Sequence, residues 1–297
     1  MEKEIKELLD DVFGDLSNDY QSNLEILDIK KEKYKSHPRY KNLLDKILIK
    51  EKLYLDKPQK EAYLEMLAKY NESINYGIAL GNEYFEKGKI KEVKELLESM
   101  IKSFSNSYLN DEFANIVYID NEEERELYNL INDDDREIIY TDLNKGFAYF
   151  MYGRILLEEN KTNEALLSFD LAKTYNPFLK EAYFFKALLL KVNKKFEEAK
   201  EELLKVHKYI HRQEDLGDFY YFVGNYCYKF INKDYEFLMY QKSYSLNPVK
   251  ELYEELKEIK PLDRDLEFNE EEFIDVAIKE GIPIDYNSIV KEFINRE

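Results

Sequence analysis

The chain has 297 residues, of which 44% are apolar, and this is enough to bury a substantial core. Its 62 acidic and 44 basic residues leave a formal net charge of −18, which makes contact with a nucleic-acid backbone unfavourable. The single cysteine excludes an internal disulfide and a cysteine-based metal site, and no run approaches the roughly 18 consecutive apolar residues of a membrane-spanning helix.

The start of the chain is charged and has no apolar segment after it, so we expect no secretory signal, no membrane insertion and a cytoplasmic location. Two segments, 105–143 and 263–297, hold most of the excess negative charge. Such segments are typically solvated faces or mobile connections, and the alternative is that one of them meets a basic partner.

The first predicted segment, 1–107, is helical throughout. Gly81 and Gly88 divide residues 74–107 into a helix–turn–helix unit, with Gly81 where two helices approach and Gly88 at the turn between them. Ahead of this unit, apolar periodicity predicts four helices, over residues 4–13, 20–35, 43–48 and 58–70.

The second predicted segment, 108–143, is an acidic and irregular connector. Asn121 followed by three glutamates looks like a capping box that starts a helix through Leu127, Leu130 and Ile131. The aspartates at 133–135 are then predicted to cap a further helix that continues into residue 146 as one long helix. In the alternative interpretation, the apolar residues 116–119 form a short strand.

The third predicted segment, 144–250, contains three similar runs of residues. The first consists of Tyr149, Gly153, Leu156, Ala165, Phe169, Ala172 and Pro177. The second begins 34 residues later and consists of Tyr183, Ala187, Leu190, Phe196, Ala199, Leu203 and Val206. The third consists of Tyr220, Gly224, Cys227, Tyr240, Ser243 and Pro248, with Glu236 where a small residue is expected.

This spacing resembles the tetratricopeptide repeat, clearly over 146–250 and more weakly over 74–107. In that repeat, small residues let two helices approach, large residues fill the space around them, and proline ends the second helix. The resemblance implies an all-α fold, a right-handed solenoid of helical hairpins with extra N- and C-terminal helices. The acidic fourth segment, 251–297, is predicted to cap the solenoid with helices over 250–260, 269–280 and 286–296.

The resemblance also implies that the first helix of each repeat lines a concave groove. The predicted partner-binding residues are Asn82, Phe85, Phe147, Phe150, Met151, Arg154, Phe184, Phe185, Leu188, Tyr221, Phe222 and Asn225. Some family members grip a C-terminal carboxylate with basic and amide side chains at positions that here include Phe150, Phe185 and Phe222, so we do not expect that ligand. An aromatic groove suits an amphipathic helix or an apolar peptide.

We therefore expect a non-catalytic scaffold or adaptor that binds a protein or peptide and needs no cofactor. Two alternatives are a peptide-sensing regulatory protein of the repeat-array type and a homo-oligomer, such as a homodimer, whose groove is filled by its own helices. A metal enzyme has only His207 and His211 in its favour, which are expected on one face of a helix but lack a third ligand. Cys227 is predicted to be a buried core residue.

Overall fold

The computed structural model describes most of the chain from residue 75 onward and shorter parts before it. The described residues are 8, 11–16, 20–37, 47, 75–104, 114–229, 231–260 and 268–295. They are predominantly helical. The helices predicted over 43–48 and 58–70, and most of the one predicted over 4–13, lie outside the described residues.

The chain forms two units that interleave along the sequence. Unit 1 consists of Met1–Tyr118 and Asp134–Ile155, and unit 2 consists of Ile119–Asp133 and Leu156–Glu297. Each unit therefore contains two separate stretches of chain. The four segments predicted from the sequence stay a prediction.

Unit 1 contains the predicted helix–turn–helix unit. The first of its helices ends at residue 86, Gly88 adopts a positive φ of 70°, and helix α2 runs over Ile90–Phe104. This backbone conformation favours glycine, which explains why the turn falls there. Earlier in the chain, α1 runs over Tyr20–Tyr34, close to the predicted 20–35.

Unit 1 also contains a two-stranded parallel sheet. Strand β1, Ala114–Val117, pairs with β2, Glu137–Tyr140, and Ala114 stands opposite Glu137. The long helix predicted to start near residue 136 is wrong, because β2 occupies that stretch. The alternative of a strand at 116–119 is correct for Ile116 and Val117, although the strand begins two residues earlier. Both strands are rich in β-branched residues, which favour extended backbone.

The first helix of the strong repeats, α4, runs over Lys145–Glu158. Asn144 Oδ1 accepts the backbone N–H of Phe147 at 3.0 Å and so satisfies a free donor of the first turn. The Asn75 side chain bonds to both the carbonyl of Asp142 and the N–H of Asn144, at 2.7 and 3.2 Å. These bonds join the helix that ends at residue 86 to the start of α4 within unit 1.

Unit 2 begins with the helix predicted after Asn121. Helix α3 runs over Glu122–Ile131, and Asn121 Oδ1 accepts the N–H of Glu124 at 2.8 Å, as the capping pattern predicts. Leu127 and Ile131 are buried, whereas Leu130 is 43% exposed. The helix is therefore confirmed, but Leu130 does not belong to its buried face.

The remainder of unit 2 consists of helices in adjacent packed pairs. Their bounds are α5, Thr162–Tyr175; α6, Lys180–Val192; α7, Phe196–His207; α8, Gln213–Val223, continued by a π-helical turn, Gly224–Tyr228; and α9, Lys233–Leu246. Helix α6 packs on α5 and α7, and α8 packs on α7 and α9.

Within α4 to α9, the positions that carry the repeat resemblance are buried except Phe196, which is half-buried. The small residues Gly153, Ala187 and Gly224 all lie in the interior, as do the large residues around them. A Cβ built on Gly224 would lie 2.8 Å from the ring of Tyr240 and 3.1 Å from Met239 Cβ. Only glycine therefore permits α8 and α9 to approach this closely.

Three helices follow α9, close to the predicted bounds. They are α10, Lys250–Ile259; α11, Glu270–Glu280; and α12, Ser288–Ile294. Phe273, Val276 and Ala277 of α11 belong to the same buried core cluster as Tyr220 of α8. In a second cluster, Val290 and Phe293 of α12 pack with residues of α3.

Candidate functional site

Six of the predicted partner-binding residues lie together in unit 2, and we call them the aromatic face. Phe184, Phe185 and Leu188 come from α6, Tyr221 and Phe222 from α8, and Asn225 from the π-helical turn. The ring centroids of Phe184 and Phe222 are 4.2 Å apart, which joins the two helices directly. Phe184 is buried, and the other five residues are half-buried.

Hydrogen bonds connect one end of the aromatic face to its neighbours. Asn225 accepts a hydrogen bond from Lys191 Nζ at 2.7 Å and donates one to the Tyr240 hydroxyl at 2.9 Å. The Tyr221 hydroxyl donates to Glu255 Oε1 at 3.1 Å and so connects α8 to α10. These bonds hold the side chains of Asn225 and Tyr221 in place.

A half-buried lysine, Lys191, lies at this same end. Burial lowers the pKa of Lys191, and the nearby Lys229 lowers it further. Its Nζ also lies 5.0 Å from the ring centroid of Tyr226, close enough for a cation–π interaction. The end of the face at Asn225 therefore carries a positive charge beside its aromatic rings.

The other six predicted residues belong to unit 1. Phe150 and Met151 are buried, and the remaining four are half-buried: Asn82, Phe85, Phe147 and Arg154. The Arg154 guanidinium lies 4.0 Å from the centroid of Phe85, and the rings of Phe147 and Phe150 are 5.9 Å apart. Because Phe150 is almost fully buried, its substitution would test the core rather than a binding surface.

The buried apolar residues of helix α11 pack in the core of unit 2. Phe273 meets the ring of Tyr220 edge-on at 5.4 Å, and Glu280 lies beside Lys200 of α7 and Tyr228 of the π-helical turn. Ile278, on the same helix, is 69% exposed. The apolar face of α11 is thus occupied by the core around Tyr220.

The two histidines do not form a pair on a helix. Helix α7 ends at His207, so His211 lies beyond it, and the prediction of one shared helical face is wrong. His207 Nε2 is 2.8 Å from the carbonyl oxygen of Asp285, and burial lowers the pKa of this imidazole. Across the described ranges, no group of three or more potential ligands could hold a metal ion.

Cys227 lies on the π-helical turn, where it is buried as predicted. Burial raises the pKa of its thiol to about 12, so the reactive thiolate is scarce near neutral pH. The thiol borders a cleft of about 270 Å³ that Lys200 and Glu280 also line. Sequence patterns did not predict this cleft, because its walls come from distant helices.

None of the helices in the described ranges is both long enough and apolar enough to cross a membrane. No protein-family model matches the chain, and no curated protein has a matching sequence.

Proposed function

We propose that the helix pairs of this chain form a tetratricopeptide-type solenoid of right-handed helical hairpins. The residue spacing over 146–250 supports this, together with the burial of most positions that carry the resemblance; Phe196 is half-buried and Pro248 is exposed. The close approach of α8 and α9 at Gly224 is the contact that a small residue permits in such a hairpin.

We further propose that the protein is a non-catalytic scaffold that binds an amphipathic helix or an apolar peptide on the aromatic face. One observation carries this proposal: four half-buried apolar residues, Phe185, Leu188, Tyr221 and Phe222, lie on α6 and α8, two helices that the Phe184–Phe222 ring contact joins. Aromatic anchors of this kind supply much of the affinity in helix-in-groove complexes.

The charge of the chain is consistent with this proposal. A net charge of −18 opposes binding to nucleic acid, whereas the aromatic face itself combines aromatic rings with a nearby lysine. The buried, protonated thiol of Cys227 suits a protein of the reducing cytoplasm, where we place it.

The test begins with selection of binders from a displayed library of random helical peptides, using the full-length protein. Titration calorimetry then compares the affinity of a selected peptide for the wild-type chain and for Phe185→Ala and Phe222→Ala. We expect each variant to bind at least about tenfold more weakly, because loss of an aromatic anchor typically costs 2 kcal/mol or more.

Leu167→Ala is the matched control, since Leu167 is 65% exposed on α5 and is not part of the aromatic face. This variant should bind like the wild type. Unchanged affinity in both phenylalanine variants would exclude the aromatic face as the binding surface. A dimer in solution that both phenylalanine variants dissociate would instead identify the face as a homodimer seam.

A further inference from the structure

A small cleft in unit 2 lies apart from the aromatic face. Its volume is about 160 Å³, and its lining includes Glu124 of α3, Phe178, Tyr209 and His211. A cavity of about 150 Å³ holds a molecule the size of benzene, so the cleft has room for roughly six heavy atoms.

His211 brings an unsatisfied nitrogen to this cleft. Its side chain is only 5% exposed, and Nδ1 lies 3.3 Å from the backbone carbonyl oxygen of Tyr209. Because a carbonyl can only accept, Nδ1 carries a proton, and in the tautomer that this contact selects Nε2 is an acceptor. Within the part of the chain that the structure describes, this buried Nε2 has no hydrogen-bond partner. A buried acceptor of this kind favours a ligand that donates to it.

Glu124 provides a second acceptor next to the first. Its Oε1 lies 3.9 Å from His211 Nε2, which is too far for a direct hydrogen bond. A ligand's donor atom that lies beside the line from Glu124 Oε1 to His211 Nε2 can still be about 2.8 Å from each of these two acceptors. The Glu124 side chain is 12% exposed, and burial raises the pKa of its carboxyl group, so a bound cation would favour the ionised form.

The charges around the cleft favour a cation. Lys180 already forms ion pairs with Asp215 and Asp218, and Arg212 lies 3.6 Å from Glu124 Oε1. Glu181 is a further carboxylate in the lining, and Asp120 and Asp133 act electrostatically on Glu124 and Tyr209, respectively. Acidic groups thus outnumber basic ones.

The aromatic part of the lining is also suited to a cation. The rings of Phe178 and His211 meet edge-on with centroids 5.9 Å apart, and Phe178 and Tyr209 are 5.4 Å apart. Aromatic rings attract ammonium groups through their negative faces and accommodate the carbon chain that carries such a group.

We propose that this cleft binds a primary ammonium group, carried by a small free amine or by a lysine side chain, which donates one N–H to His211 Nε2 and another to Glu124 Oε1. A butylamine molecule and a lysine side chain each fit the available volume. The site is independent of the peptide-binding face proposed above, because it depends on different residues and a different ligand.

The test uses the full-length protein labelled with nitrogen-15 in its histidine rings, so that each ring nitrogen reports its own hydrogen bonding. n-Butylammonium and Nα-acetyl-lysine-N-methylamide are the probes, and tetramethylammonium is a cation without N–H donors. We expect both amines to shift the His211 Nε2 resonance and to leave His207, which already has a partner, unchanged. Binding of butylammonium alone would support a free amine as the ligand, and binding of both would support a lysine side chain as well.

Calorimetry on variants tests the two acceptors separately. Glu124→Gln should weaken butylammonium binding at least about tenfold, since a charge-assisted hydrogen bond is lost, and His211→Phe should abolish it. Glu123→Gln is the matched control, because Glu123 is an exposed carboxylate of the same helix α3 that does not line the cleft, and it should change the affinity less than about twofold. Glu124→Gln keeps the proposal testable if His211→Phe does not fold.

Three results would overturn the proposal. The first is a His211 ring that carries protons on both nitrogens at neutral pH, because its Nε2 would then be a donor. The second is tetramethylammonium binding as tightly as butylammonium, because that would show attraction to any cation. The third is equal butylammonium affinity in the wild type and Glu124→Gln.

Discussion

Two buried glutamates in unit 2 have pKa values that are shifted in opposite directions. Burial raises the pKa of Glu202, but Lys173, Lys205 and Lys186 outweigh that effect and hold the pKa below its usual value. Burial also raises the pKa of Glu236, and there it prevails over the attraction of Lys229. Folding therefore stabilises the ionised form of Glu202 and destabilises the ionised form of Glu236.

Replacing each glutamate by glutamine should change stability with opposite signs. Glu202→Gln should lower the unfolding free energy at pH 7 by about 2–3 kcal/mol, because the half-buried Lys173 and Lys186 lose one of their two carboxylate partners. Glu236→Gln should raise it, by on the order of 1 kcal/mol, because no charge is then buried. Urea unfolding of both variants near pH 7 measures the two changes.

The pH dependence of the unfolding free energy follows from the directions of these two pKa shifts. The pKa of Glu202 is lower in the folded state, so its stabilising effect is present above its unfolded pKa and is lost as the pH falls through the folded pKa. The pKa of Glu236 is raised, so its destabilising effect diminishes as the pH falls through that raised value. A Glu236→Gln variant whose advantage over wild type grows on acidification would contradict this interpretation.

At the residue level, the sequence predicted which residues are buried wherever their spacing along a helix determines burial. Gly153, Ala187 and Gly224 are buried because each lies on the side of its helix that faces a partner helix, and helical periodicity reveals that side. The acceptor pair Glu124 and His211 could not be predicted in this way. Its two members are distant in the chain and come together only through the packing of unit 2.

At the level of elements, the contact between α8 and α9 depends on Gly224. A methyl group there would lie 2.8 Å from the ring of Tyr240, which is fully buried and has no room to move. We expect Gly224→Ala to lower the unfolding free energy by about 1–3 kcal/mol, as overpacking of a core does. Thermal unfolding followed by circular dichroism measures this loss.

Gly77→Ala is the control for that experiment. Gly77 also lies in a helix, but a Cβ there would be 3.4 Å from the flexible thioether of Met100. The alanine should be neutral or stabilising by up to about 1 kcal/mol, because it restricts the unfolded chain. Equal stability of Gly224→Ala and the wild type would show that α8 and α9 can separate at little cost.

Long periodic helices were predictable from local sequence, whereas the strand pair and the π-helical turn were not. Apolar periodicity places α10, α11 and α12 within a few residues of their observed bounds. Strands β1 and β2 pair in parallel, and helix α3 lies between them in the sequence. The residues of one strand therefore do not reveal which other segment pairs with it. The π-helical turn differs from an α-helix only in hydrogen bonding, which side-chain periodicity does not reveal.

At the level of the whole molecule, the net charge of −18 destabilises the folded chain through self-repulsion. Raising the salt concentration from about 10 to 150 mM shortens the screening length from roughly 30 to 8 Å. We expect the thermal midpoint to rise by roughly 2–4 °C, equivalent to on the order of 1 kcal/mol in a chain of this size. A fall in the midpoint would mean that surface ion pairs outweigh the repulsion.

The interleaving of the two units has a consequence for how the gene can be divided. A truncated gene that starts at Leu156 omits Ile119–Asp133, and with it Leu127 and Ile131, which pack against Val290 and Phe293. No single cut separates the two units, because each consists of two stretches with a stretch of the other between them. A fragment that carries one unit whole therefore also carries part of the other.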